Sequence, residues 1–142
     1  MSEATSQVRI VVGVDGSASS VNALKEGVKL AAELGGVVDA VAVWELPVKH
    51  VAYAAMGIGS FEEGAQKVLN DALFQAFGEN VPATVSARLV QGTAASTLSS
   101  VSEGARLLVV GRRGHGGIMG LLLGSVSAAV VNQSPVPVLV VQ

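Results

Sequence analysis

Apolar residues along this chain fall into short unbroken runs, separated by stretches in which they recur at helical spacing. The run after Arg9 (Ile-Val-Val-Gly-Val) has strand length, so residues 9–14 are predicted as a first strand, with Asp15-Gly16-Ser17 turning out of it. Val21, Leu24, Val28 and Ala31 then share one helical face. Ser17 or Ser19 can cap that helix, which is expected to reach Leu34 and to stop at Gly35-Gly36. Residues 37–44 read as a second strand. Residues 45–59 contain Pro47, Gly57 and Gly59 and have no period, which predicts a long connection of the kind that is usually functional or mobile.

The spacing Ser60-Phe-Glu-Glu63 is that of a capping box and predicts a second helix from there to about Phe77. After a turn at residues 80–82, Val85, Ala87 and Leu89 alternate within a third strand at residues 83–90. Gly92-Thr93 opens a third helix ending near Gly104, and residues 107–110 form a fourth strand. A fourth helix runs from Ser125 to about Gln133, where Ser134-Pro135 stops it, and residues 136–141 close as a fifth strand. Strands thus alternate with helices, and most strands are apolar on both faces. That pattern predicts an α/β fold, a single-domain open parallel sheet with helices on both faces, Rossmann-like. Ligands of such sheets sit beyond the carboxyl ends of the strands at the switch point. Asp15, the connection after Trp44, Gln91-Gly92 and the Gly111 loop all lie at such ends and can converge.

Composition narrows the function. The 142 residues suit one domain, and with 50% hydrophobic and 14% charged residues they do not describe a disordered chain. Apolar runs fall far short of the roughly 20 residues that cross a bilayer. The polar start from Met1 to Gln7 has no signal-peptide pattern, so a cytoplasmic location and no membrane partner are expected. The absence of cysteine excludes disulfides, thiolate metal sites and cysteine nucleophiles. A net charge of −2 argues against nucleic acid as a partner. No Asp or Glu follows Glu103, whereas Arg106, Arg112 and Arg113 do, so the glycine loop lies in a locally cationic stretch that suits a small polyanion.

The chemistry concentrates after the fourth strand. Gly111 ends an apolar run, five more glycines follow, and the last of them, Gly124, is joined directly to Ser125. Strand, glycine loop and helix start together offer backbone N–H groups to an anion. Gly111 and Gly114 would let the backbone come close to a phosphate chain, and Ser125 and Ser127 could donate hydroxyls. The plainer alternative is a connection in which Ser125 only caps the helix. Arg112, Arg113 and His115 either contact phosphate oxygens or keep the loop in water. Asp15 either accepts from an adenine amino or ribose hydroxyl group or simply starts a turn. The motif G-x-x-x-x-G-K-[ST] is absent, since Gly124 precedes Ser125 with no lysine between, and G-x-G-x-x-G fails at Met119. With His50 as the only other histidine, His115 is a poor metal ligand, and no catalytic triad can be inferred. Asn132-Gln133-Ser134 fits a glycosylation sequon by chance.

The spacing Gly111-x2-Gly114-x9-Gly124-Ser125 resembles the ATP-binding signature of the universal stress protein family. The likeness extends to Val11-Val-Gly-Val-Asp15-Gly-Ser17, Val90-Gln-Gly92-Thr-Ala and Pro135-Val-Pro-Val-Leu-Val-Val141, and so to nearly the whole chain. The resemblance implies a five-stranded parallel sheet in order 3-2-1-4-5 and a homodimer joined through Val138–Val141. It also implies an ATP site. Val14 and Asp15 would hold the adenosine end, and Val43 would give backbone contacts to adenine. Val110, Gly111, Gly114, Gly124, Ser125, Val126 and Ser127 would line the ribose and phosphates, which Mg2+ would bridge. Arg112 departs from the family, where a small hydroxyl residue is frequent, and Arg106 stands where an acidic one is frequent.

The leading expectation is therefore an ATP-binding dimeric regulator of stress adaptation, responsive to nucleotide. The alternatives are a slow ATPase or self-phosphorylating protein, a cyclic-AMP binder, and a dimeric scaffold without nucleotide. Phosphoryl transfer needs an oriented nucleophile as well as positioning. The sequence offers no evident base, so any turnover is expected to be slow.

Overall fold

The computed structural model describes residues 7–46, 58–113 and 124–142. The elements follow in the order β1 (Arg9–Gly13), α1 (Ala18–Leu34), β2 (Val37–Trp44), α2 (Ile58–Phe77), β3 (Val85–Gln91), α3 (Ala94–Val101), β4 (Leu107–Gly111), α4 (Ser125–Gln133) and β5 (Val138–Val141). All strand pairs are parallel, and the sheet order is β3-β2-β1-β4-β5. The expected α/β architecture and strand order are therefore both present.

Alternate strand residues point to opposite faces, and both faces are apolar. On one side Ile10 and Val12 of β1 and Val38 and Ala40 of β2 pack under Leu24 and Ala31 of α1 and Leu69 and Ala72 of α2. On the other, Val11, Val41, Leu108 and Val110 pack under Ala95 and Leu98 of α3 and Val130 of α4. The chain winds outward from β1 through β2 to β3, then returns across the sheet to β4 on the other side of β1. The switch point between β1 and β4 follows from that return, and it positions the site.

Ser17 caps α1, its side chain accepting from the Ser20 N–H, and Gly35 at φ +69° ends it with its own N–H on the Ala31 carbonyl. Gly27 lets this helix lie close on β1, because a Cβ there would stand 2.7 Å from Val12 Cγ2. The one carboxylate within the strands is Asp39 on β2, which takes Arg9 at 3.1 Å and Arg88 at 3.0 Å. Arg9 also donates to the carbonyls of Val101 and Glu103, placing a cation at the C-terminal end of α3. The hydrogen bonds that Arg88 donates to Asp39 hold the pKa of its guanidinium above the ordinary value.

Several boundaries differ from expectation. The second helix begins at Ile58, so Ser60 lies inside its first turn and is not the cap of the predicted box, and the connection before it is shorter by two residues. The first strand ends at Gly13, the third runs over Val85–Gln91 and the fifth starts only at Val138, while α3 stops at Val101. Periodicity marks the middle of an element; its ends depend on hydrogen bonds to neighbours and scatter by one or two residues.

Gly27→Ala tests the close contact of α1 with β1. Helix propensity alone would stabilise the variant by up to ~1 kcal/mol. Overpacking against the fully buried, stiff Val12 should reverse the sign and leave a net loss of about 1 kcal/mol. Urea denaturation reads the difference, and a stabilised variant would mean that α1 stands further from β1.

Candidate functional site

The β1–α1 junction is built by hydroxyls. Asp15 Oδ1 accepts from the Ser17 N–H at 2.9 Å and from Ser17 Oγ at 2.6 Å, an Asx turn that starts α1. Asp15 is exposed, and among the described residues Oδ2 takes no partner. The buried Ser20 donates to the Ser17 carbonyl and accepts from the Asp15 N–H at 3.3 Å. The carboxylate thus stands at the end of β1 on a fixed backbone, with one oxygen left for a ligand.

The β2 ladder supplies a second polar edge. The Val41 carbonyl accepts from the Val14 N–H on the β1 side, and the Trp44 carbonyl accepts from the Gly92 N–H on the β3 side. Val43 has the parity of Val41, so its N–H and C=O face the β1 side, where the paired register has already ended at Gly13. No bond between Val43 and Val14 continues the ladder. Among the described residues, the N–H and C=O of Val43 therefore have no partner on that side.

At the end of β4, Gly111 lies against the first turn of α1. A Cβ at Gly111 would come within 2.7 Å of the Ser20 nitrogen and 2.8 Å of the Ser19 carbonyl carbon. Close approach at this glycine is thus made by α1, and the residue also lines the slot described below. Ser19 uses the space, donating to the Arg113 carbonyl at 2.7 Å and accepting from the Arg113 N–H at 3.3 Å. The Gly124 N–H donates to the Arg112 carbonyl at 2.8 Å, so the two ends of the glycine segment are tied together.

Gly124 is the N-cap of α4 and makes no side-chain cap bond. The N–H groups of Ser125, Val126 and Ser127 are those that an α-helix leaves without internal partners. Ser125 and Val126 are exposed. Ser127 is buried and its hydroxyl donates to the Gly111 carbonyl. Its proton is thus committed to the end of β4, whereas the sequence suggested a hydroxyl donated to phosphate.

These elements enclose a cavity of about 80 Å3 lined by Val14, Asp15, Val43, Val110, Gly111, Val126 and Ser127 among the expected residues. It also takes Gly13, Ser20, Val41, Ala94 and Leu98, which the sequence reading missed. Strand parity would have found Val41, which shares the face of Val43; Ala94 and Leu98 reach the site only through the return of the chain to β4. Complete small-molecule pockets run to roughly 300–1,000 Å3, so this slot seats one moiety of a ligand. A further cavity of about 250 Å3, lined by Glu45, Leu46, Gln91, Gly92 and Thr93, lies along the same edge of the sheet. Arg112, Arg113, Gly124 and Ser125 adjoin the slot without lining it. Gly114 and His115 lie outside the described residues, as does most of the connection expected at residues 45–59. No group of three metal-ligating side chains occurs among the described residues.

Open parallel α/β sheets take their ligands at the switch point, here the cleft between β1 and β4. The chain belongs to the universal stress protein family, whose profile matches residues 8–142. It is 35% identical over 133 residues to the universal stress protein Rv2005c of Mycobacterium tuberculosis, covering 92% of this chain and 44% of that protein. The chain therefore spans less than half the length of this curated relative. Among solved structures, UspA from Lactobacillus plantarum superimposes with a TM-score of 0.79 at 19% identity, covering 96% of this chain and 98% of that one. A universal stress protein in complex with cAMP superimposes at 0.71 with 29% identity, covering 97% and 99%. No described helix is long and apolar enough to cross a membrane.

Ser127→Ala should destabilise the ligand-free protein by about 1–2 kcal/mol, because it leaves the buried Gly111 carbonyl short of a partner. Chemical denaturation measures this. A variant as stable as the parent would mean that the hydroxyl is not spent on Gly111 and is available to a ligand.

Proposed function

We propose that this chain binds an adenine nucleotide at the carboxyl end of its sheet, and that the nucleotide is ATP. The observation that carries this reading is the apolar slot between β1, β2 and β4, with the unpaired Val43 backbone edge at one wall and the Asp15 carboxylate beside it. An adenine ring offers a donor and an acceptor on one edge and two apolar faces, which suits such a slot. Asp15 Oδ2 would accept from a ribose hydroxyl. The N–H groups that open α4 would take the phosphates, favoured by the helix dipole.

ATP is preferred because the N–H groups opening α4 and the arginines at the end of β4 suit a polyphosphate better than a single phosphodiester. Mg2+ would be carried mainly by the phosphate oxygens and bridge them. Cyclic AMP is the second reading, favoured by the solved relative that holds it. On either reading the protein acts as a nucleotide-responsive regulator in stress adaptation, not as a rapid enzyme. Among the described residues Asp15 is the one carboxylate lining the slot, and one of its oxygens already holds the start of α1.

We also propose a homodimer through β5. Both sheet edges are exposed to pairing, but they differ in character. The edge strand β3 presents Ser86, Arg88 and Gln91 as exposed residues, whereas β5 is Val-Leu-Val-Val, each half-buried. Charged and polar residues blunt an edge; an all-aliphatic one invites a partner strand.

Calorimetric titration of nucleotide-stripped protein tests the site. Saturable binding of about one ATP per chain in the presence of Mg2+, unaffected by excess cyclic AMP, is the expected result. Displacement by cyclic AMP would favour the second reading, and binding of neither would remove both. Asp15→Ala should weaken ATP roughly tenfold, the loss of one charged hydrogen bond.

A further inference from the structure

We propose that Ser19 is the positioning residue of the phosphate half of this site. The inference rests on the nucleotide reading above and assigns a role within it. Ser19 Oγ engages both backbone groups of Arg113, donating to the carbonyl at 2.7 Å and accepting from the N–H at 3.3 Å. One hydroxyl thus does for Arg113 what a neighbouring strand would do. On the other side, Arg112 is bonded through its N–H to the Val141 carbonyl and through its carbonyl to the Gly124 N–H. The backbone leaving β4 is held between the first turn of α1, the end of β5 and the residue that opens α4.

Among the described residues, Ser19 has no other duty. The cap of α1 is Ser17, and Ser20 holds the Asp15 N–H. Ser17 and Ser19 approach to 3.4 Å, but each hydroxyl has one proton, and these go to Asp15 Oδ1 and the Arg113 carbonyl respectively. The first turn of α1 is therefore divided. Ser17 serves the carboxylate at the adenosine end, and Ser19 serves the backbone at the phosphate end.

Backbone N–H groups bind phosphate well only when their directions are fixed beforehand, since ordering them on binding subtracts from affinity. Removing the Ser19 hydroxyl takes two hydrogen bonds from the Arg113 backbone while leaving the apolar slot, Val43 and Asp15 as they were. The loss should fall on the phosphates and spare the nucleoside.

The test is calorimetric affinity for ATP and for adenosine in the parent, Ser19→Ala, Ser19→Thr and Asn22→Ala, with thermal unfolding of each. Asn22 ties α1 to the Gln142 carbonyl at 2.8 Å and does not line the slot, so it controls for a loosened helix. Ser19→Ala is expected to weaken ATP roughly tenfold, the scale of two hydrogen bonds lost from an ordered backbone. Adenosine should change less than twofold, Ser19→Thr should restore ATP affinity, and Asn22→Ala should leave the ratio of the two affinities unchanged. Equal losses for ATP and adenosine in Ser19→Ala, or none for either, would overturn the positioning role while the nucleotide reading stands. A parent that binds neither ligand would remove the nucleotide reading itself, and this inference with it.

Discussion

The N-terminus of α1 packs directly over the end of β4, and the rest of the site depends on that contact. Gly111 permits it by having no side chain: a Cβ there would overlap the backbone at Ser19 and Ser20. From the α1 side, Ser19 grips Arg113; from the α4 side, Ser127 grips the Gly111 carbonyl. The last residue of β4 and the residues after it are thereby held from both faces of the sheet. At the switch point, helices on opposite faces start from adjacent strands, which leaves a crevice between them. Here serine hydroxyls close it.

The described half of the crevice separates two kinds of recognition. Its floor is aliphatic, from Val14, Val41, Val43, Leu98 and Val110, and burying a planar ring there gains roughly 25 cal/mol per Å2 without specifying orientation. On the proposed reading, orientation would fall to groups that need little rearrangement: the Val43 backbone edge, the Asp15 carboxylate on its Asx turn, and the N–H groups that open α4. Most of these are backbone atoms fixed by the sheet and helix themselves. Such a frame can be kept while side chains around it diverge, in keeping with a TM-score of 0.79 at 19% identity to the UspA structure.

The fold was legible in the sequence because a buried parallel sheet leaves an unmistakable pattern. Runs such as Ile10-Val-Val and Leu108-Val-Val are apolar on both faces, and the structure buries both faces completely. The region of the candidate site was legible too, since a carboxylate at the end of β1 and a glycine at the end of β4 must lie near each other once strand order is known. The duties of individual residues were not. Gly111, Ser19 and Ser127 are defined by which atoms lie opposite across the crevice, at sequence separations of 94 residues for Ser19 and Arg113 and 16 for Ser127 and Gly111. No local pattern encodes such pairings. The Ser60 box misled for a related reason: its spacing is correct for a cap, yet the helix had already begun at Ile58.

The placement of protons also bears on whether a site of this kind would transfer a phosphoryl group. Asp15 and Ser17, 2.6 Å apart, have the separation of a base and its nucleophile. Yet the same Ser17 oxygen accepts from the Ser20 N–H at 3.2 Å, and so caps α1. Using it as a nucleophile would open the first turn of the helix whose approach to β4 forms the site. Ser19 and Ser20 donate to backbone carbonyls of Arg113 and Ser17, and Ser127 to that of Gly111. Four hydroxyls around the slot are thus spent on holding its frame. On the proposed reading, a frame fixed in this way would favour retention of a nucleotide over its turnover.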